Sequence, residues 1–233
     1  MLTSLLYGLA ASSALVVGAA IGARYSPPRH VVALLMAFAS GALISALAFE
    51  LFEDAYELGG AARSSIGLIM GAITFVVADS LVERRTGRGS VAGAGVGLAL
   101  LAAVTLDGVP ENLALGVSLV EGASVSLLVA IFFSNLPESL VGAVKMREAG
   151  ESAGTVMWLW VVCAALLTAA VVLGRALAGD MSDTVLSVTL GFAGGAVLAS
   201  LADTLMPEAF ERGRPANALA TAAGFVLAFV LAA

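Results

Sequence analysis

Eight apolar runs, each about as long as a bilayer is thick, leave this chain few ways to fold. A helix needs about 20 mostly apolar residues to cross the hydrocarbon of a membrane. The runs cover about 2–23, 31–58, 64–82, 91–120, 124–146, 152–177, 184–212 and 215–233. Ser26-Pro27-Pro28, Gly59-Gly60, Glu83-Arg84-Arg85 and Glu121-Gly122 punctuate them. Nothing polar between them exceeds a short loop, so residues 1–233 read as one membrane domain. Composition agrees: 60% of residues are hydrophobic and 12% charged, against roughly a quarter charged in a soluble domain. The first run lacks a basic start and is too long for a signal-peptide core, so it reads as a span. Cys163 is the sole cysteine and sits in an apolar run, where it reads as packing. The expected partner is a lipid bilayer and not nucleic acid.

Basic residues set the orientation. With eight spans, the odd-numbered loops share one face. They hold Arg24, Arg29, Arg84, Arg85, Arg88, Lys145, Arg147, Arg212 and Arg214, nine of the eleven Lys and Arg residues. The positive-inside rule puts that face in the cytoplasm and both termini outside. A plasma-membrane location is the expectation.

An internal repeat refines the architecture. Residues 38–59 lie over 192–213 without a gap, and 10 of the 22 positions are identical at an offset of 154. A shorter echo sets Gly108-Val109-Pro110-Glu111-Asn112-Leu113 over Asn135-Leu136-Pro137-Glu138-Ser139-Leu140. Each pair belongs to spans of opposite direction. The predicted fold is therefore all-α, with eight transmembrane helices in a 3+2+3 inverted repeat. Repeat one covers about 1–83, the central pair about 91–147, and repeat two about 152–233. Carriers with such symmetry bind substrate near the midplane, on interrupted helices between the repeats. Rocking of the repeat halves would give alternating access.

The central pair carries the chemistry. A carboxylate at the bilayer centre costs at least about 2.5 kcal/mol, so three of them together must share protons or hold a cation. Asp107 and Glu111 are four apart and share a helix face. Ser134 and Glu138 repeat that spacing, with Asn135 beside them. Pro110 and Pro137 each remove a backbone N–H, which frees a carbonyl of the preceding turn. Oxygen donors on two facing helices suit a divalent cation. Plainer readings stand beside this one: the prolines as simple kinks, the glutamates as protonated structural groups, and Ser134 bonded back to a helix carbonyl. Glu50, Glu53, Asp54 and Glu57 at the outer end of span two, and Asp203, Glu208 and Glu211 at the inner end of span seven, read either as solvated helix ends or as an electrostatic entrance and exit. Asp79 sits at the inner end of span three.

The paired Pro-Glu turns and the repeat resemble the Zrt/Irt-like (ZIP) metal transporters. That family has eight helices in a 3+2+3 inverted arrangement, with fourth-helix His-Asn-x-Pro-Glu-Gly and fifth-helix His/Gln-Asn/Asp-x-Pro-Glu-Gly motifs. The matching stretches here run Asp107 to Asn112 and Ser134 to Ser139. The resemblance implies metal ligation by Glu111, Asn135 and Glu138, with Asp107 and Ser134 at positions the family gives to His or Gln. Gly108 stands where the family has Asn and offers no side-chain ligand. The loop after span three, often long and His-rich in the family, is only Glu83 to about Ser90. The one histidine, His30, lies at the cytoplasmic edge and reads as a non-ligand. An all-oxygen site is harder than one with imidazole, which moves the expected ion from zinc towards manganese, ferrous iron or magnesium. With only Cys163 and Thr168 to offer, span six favours one bound ion over two.

The expected function is passage of a divalent metal ion (zinc, manganese, iron or magnesium) into the cytoplasm. Such an ion is the cargo and not a resident cofactor. No nucleophile–base pair, phosphate loop or hydrolytic metal motif is present, so an enzyme is not expected. Two other classes compete: a proton-coupled carrier of a non-metal solute, and a ZIP-like protein that has lost transport and acts as a sensor or partner. The sequence leaves a homodimer open.

Overall fold

The structure is a computed structural model that describes residues 1–86, 95–120, 122, 125–211 and 215–232. Among the described residues it is all helix and turn, with no strand. The elements are α1 (Leu2–Gly22), α2 (Arg29–Ala46), α3 (Glu53–Thr86), α4 (Gly95–Ser118), α5 (Val125–Glu148), α6 (Ala153–Ala178), α7 (Asp183–Ser200), α8 (Met206–Phe210) and α9 (Ala216–Ala232). Two π-helical segments, Leu47–Phe52 and Leu201–Leu205, make α2 continuous with α3 and α7 continuous with α8. Among the described residues, five stretches are long and apolar enough to cross a membrane: Leu2–Gly22, Arg29–Leu81, Val125–Glu148, Ala153–Ala178 and Asp183–Phe210. Helix α9 is apolar but shorter.

Local chemistry explains several ends. Gly60 breaks the Arg29–Leu81 run with φ 72° and ψ 173°, a conformation open to glycine because it has no Cβ. Ser152 caps α6 by accepting a hydrogen bond from the Thr155 amide at 3.0 Å, which satisfies one of the free N–H groups of the first turn. Glu83-Arg84-Arg85 does not end the third run as expected, since α3 continues to Thr86. The rest of the expected loop up to Ser90, Arg88, Glu121, Arg212 and Arg214 lie outside the described residues.

Small residues hold the helices together at backbone range. A Cβ on Gly71 would collide with the Phe192 carbonyl, and one on Gly224 with the Phe38 carbonyl. Gly41 and Gly195 meet the carbonyls of Thr221 and Leu68 in the same way. These contacts join α3 to α7 and α2 to α9. A second set joins α1 to α5 and α4 to α6: Gly22 lies on the Leu140 carbonyl and Gly174 on the Leu113 carbonyl. In lipid, where apolar burial gives no drive for helices to associate, such close backbone approach supplies the packing energy. The order of contacts makes each pair parallel; for example, Gly67 meets Val188 and Gly71 meets Phe192. Two bundles result. One holds α2, α3, α7, α8 and α9, and the other α1, α4, α5 and α6, with narrower contacts of α2 on α5 and α4 on α7 between them.

Candidate functional site

The two central helices meet at their Pro-Glu turns. Pro110 lies inside α4 and Pro137 inside α5. Both helices continue past their prolines, and the side chain one residue beyond each glutamate bonds back one turn. Asn112 donates to the Gly108 carbonyl at 2.8 Å, and Ser139 to the Asn135 carbonyl at 2.8 Å. These two bonds occupy matching places in the echo of the two turns.

Asp107 of α4 and Glu138 of α5, in one bundle, come together where it faces the other bundle. Both line a cavity of about 160 Å³ with Met36, Val104, Thr204 and Glu208. At ~30 Å³ per water, that holds about five waters, enough for a partly hydrated ion. The Ser200 side chain hydrogen-bonds Asp107. Ser134 donates to Glu138 Oε1 at 3.2 Å, so its hydroxyl serves the carboxylate. Glu111 is buried, with 4% of its surface exposed. It stands outside the cavity lining but within electrostatic reach of both Asp107 and Glu138. Asn135 is fully buried, and its amide nitrogen donates to the Ala11 carbonyl of α1 at 3.3 Å. Among the described residues its Oδ1 has no hydrogen-bond partner, and neither has Asn112 Oδ1. A buried carbonyl oxygen without a partner is costly, and a cation is one partner that would satisfy it.

Among the described residues, no three His, Cys, Asp or Glu side chains converge as a group able to hold a metal ion. The oxygens available are the carboxylates of Asp107 and Glu138 in the lining, the Ser134 hydroxyl bonded to Glu138, and Glu111 and Asn135 outside the lining. Such a set is all oxygen and suits a hard cation. Cys163 is buried on α6.

The cavity shares Met36, Val141, Lys145 and Glu208 with a wider vestibule of about 330 Å³, which Pro27, Arg29, Glu148 and Glu211 also line. Of the expected pathway residues, Glu208 lines both spaces, while Asp203 is exposed and its charge reaches Asp107. Glu50 and Asp54 are half-buried and Glu53 is exposed, and neither cavity touches them. Leu51, Leu115, Leu127, Ile131 and Leu190 are fully buried in one apolar cluster.

Sequence reasoning missed Ser200, Thr204, Lys145 and the free oxygen of Asn112. Thr204 had a signal, since it lies opposite Glu50 in the repeat. Ser200 lies opposite Ala46 and had none. The chain matches no family model, and no match is found among curated proteins.

Proposed function

We propose that this protein is a membrane carrier of a divalent metal cation, a divergent relative of the ZIP transporters, and that Asp107, Glu111, Ser134, Asn135 and Glu138 bind its cargo. The observation that carries the reading is the shared cavity of Asp107 and Glu138, with an unpartnered buried Asn135 oxygen next along the chain from the serine that bonds Glu138. The lack of a converged trio of acidic groups keeps proton-coupled carriage of another solute as the second reading.

Eight crossings and the inverted repeat belong to the same proposal. The Arg29–Leu81 run of 53 residues would span about 80 Å as one helix, far beyond a hydrocarbon core of about 30 Å. A break at Gly60 turns it into two crossings. Counting α1, the two arms of the Arg29–Leu81 run on either side of Gly60, α4, α5, α6, α7 with α8, and α9 as eight alternating spans gives every parallel pair the same parity: first with fifth, fourth with sixth, third with seventh and second with eighth. The π-helical segments begin at Leu47 and Leu201, 154 residues apart like the sequence repeat. The close glycine contacts recur under the same exchange of repeats. Both bundles mix helices of both repeats, so packing favours sliding of bundle against bundle over rocking of repeat halves.

With the basic face in the cytoplasm, the vestibule opens inward. Cysteines introduced as Ala61→Cys and Ala149→Cys in a Cys163→Ala background test this. An impermeant thiol reagent on intact cells should label position 61 alone, and labelling of position 149 would reverse the direction. The function itself is tested by Mn²⁺ uptake into proteoliposomes. Glu138→Gln should reduce it at least about 100-fold, and Glu111→Gln, whose carboxylate stands outside the lining, about 10–100-fold as for outer-shell losses, while the protein still inserts. Wild-type rates in both variants would refute the metal site.

A further inference from the structure

Resting on that reading, we propose that Lys145 is a tethered cation that competes with the cargo for the carboxylate pocket, and that Glu208 parks it clear of the pocket. Lys145 lies on α5 and Glu208 on α8, in different bundles. Their charged groups are 3.8 Å apart and each side chain is about half exposed. Both line the inner cavity and the vestibule, so the pair stands where one opens into the other. A cation leaving the pocket for the vestibule must pass an ammonium group.

Lys145 is the one basic residue lining a cavity that also holds Asp107, Glu138 and Glu208. It follows Glu138 by seven residues, so both fall on nearly the same face of α5, about 10 Å apart along the axis. Helical side chains lean towards the N-terminus, which tilts the Lys145 chain back towards Glu138. Lysine is a compact charge on a flexible stem, so it can leave one carboxylate for another. Without Glu208, the nearest acids on the cavity side are Glu138 and Asp107. On the vestibule side they are Glu148 and Glu211. An ammonium moving towards the pocket supplies the cation that its carboxylates otherwise lack when no metal fills it.

Glu208 then has a role different from attracting cations along a pathway. As a simple pathway acid, it would lose its effect whether or not Lys145 is present. As a parking partner, its loss matters only because it releases Lys145.

Two measurements test the proposal, the first of them independent of transport. A zero-length carbodiimide couples an amine to a nearby carboxylate as an amide, with loss of water to the reagent, and mass spectrometry identifies the pair. Purified wild-type protein should give a Lys145–Glu208 link. Glu208→Gln should give Lys145 linked to Glu138 or Asp107, and added Mn²⁺ should suppress that link. A link moving to Glu148 or Glu211, or no new link, would overturn the proposal. In proteoliposomes, Glu208→Gln should lower Mn²⁺ uptake about tenfold, and adding Lys145→Met should restore most of it. An uncorrected double variant would also overturn it. If wild-type protein carries no divalent ion, the functional reading fails, whereas the cross-linking result still decides where Lys145 goes.

Discussion

The two Pro-Glu turns are near copies in sequence and unlike in use. In α5 the glutamate faces the cavity and the residue four before it, Ser134, supports it with a hydrogen bond. In α4 the roles are exchanged: Glu111 is buried outside the lining, Asp107 four residues earlier faces the cavity, and Ser200 of α7 supports it from another helix. The residue after each of these positions differs too. Asn135 ties α5 to the Ala11 carbonyl, while Gly108 makes room for Leu167 of α6, whose Cδ1 would stand 2.7 Å from an added Cβ. A repeat thus fixes where donors can stand, and single side chains decide which of them reaches the cavity.

The comparison breaks most clearly at Asp107. Asp107→His should shift the preference between zinc and manganese about tenfold towards zinc, because an imidazole nitrogen suits zinc better than a carboxylate oxygen does. Competition of the two ions for uptake measures it, and an unchanged ratio would remove Asp107 from the metal. The two serines come next. Ser134→Ala and Ser200→Ala each delete one hydrogen bond that orients a cavity carboxylate, so each should weaken Mn²⁺ binding by a similar factor of up to about tenfold. Titration of purified protein compares them, and a large effect of one serine alone would show that the two carboxylates do not share the ion. The smallest effect is expected at Gly108→Ala. Leu167 must shift to admit the methyl group, at a cost of about 1 kcal/mol, read as a lower unfolding temperature in detergent with uptake changed less than about threefold. A large loss of uptake would show that this turn needs more freedom than Asn135 allows its counterpart.

Much of the architecture was legible because the physics is local. Gly59-Gly60 announces a break, and Gly60 takes a positive φ there. Ser152 announces the α6 cap. The spacing of Ser134 and Glu138 put them on one face, although only the structure decides that the hydroxyl turns to the carboxylate and not to a helix carbonyl. Other features are tertiary and left no mark. The π-helical segments are not visible in residue pattern, since neither Leu47–Phe52 nor Leu201–Leu205 holds a Gly or Pro to mark the change of winding. Ser200 finds Asp107, and Glu208 finds Lys145, across more than 60 residues of chain. Lys145 itself was legible only as part of the basic face, because its place in the cavity depends on where α8 lies. Five described stretches meet the length and hydropathy of a crossing helix, while α9 is short and the α4 run begins in residues outside the described set.

The central claim is that the cargo sits between the two Pro-Glu turns. Anomalous diffraction from crystals soaked in Mn²⁺ tests it most directly. The expected result is one strong peak in the cavity, with carboxylate oxygens of Asp107 and Glu138 within about 2.5 Å of it, as for oxygen-ligated divalent cations, and none in the Glu138→Gln variant. A protein that transports Mn²⁺ yet shows its only peaks at the vestibule mouth or at Glu50–Asp54, with the turns empty, would contradict the account.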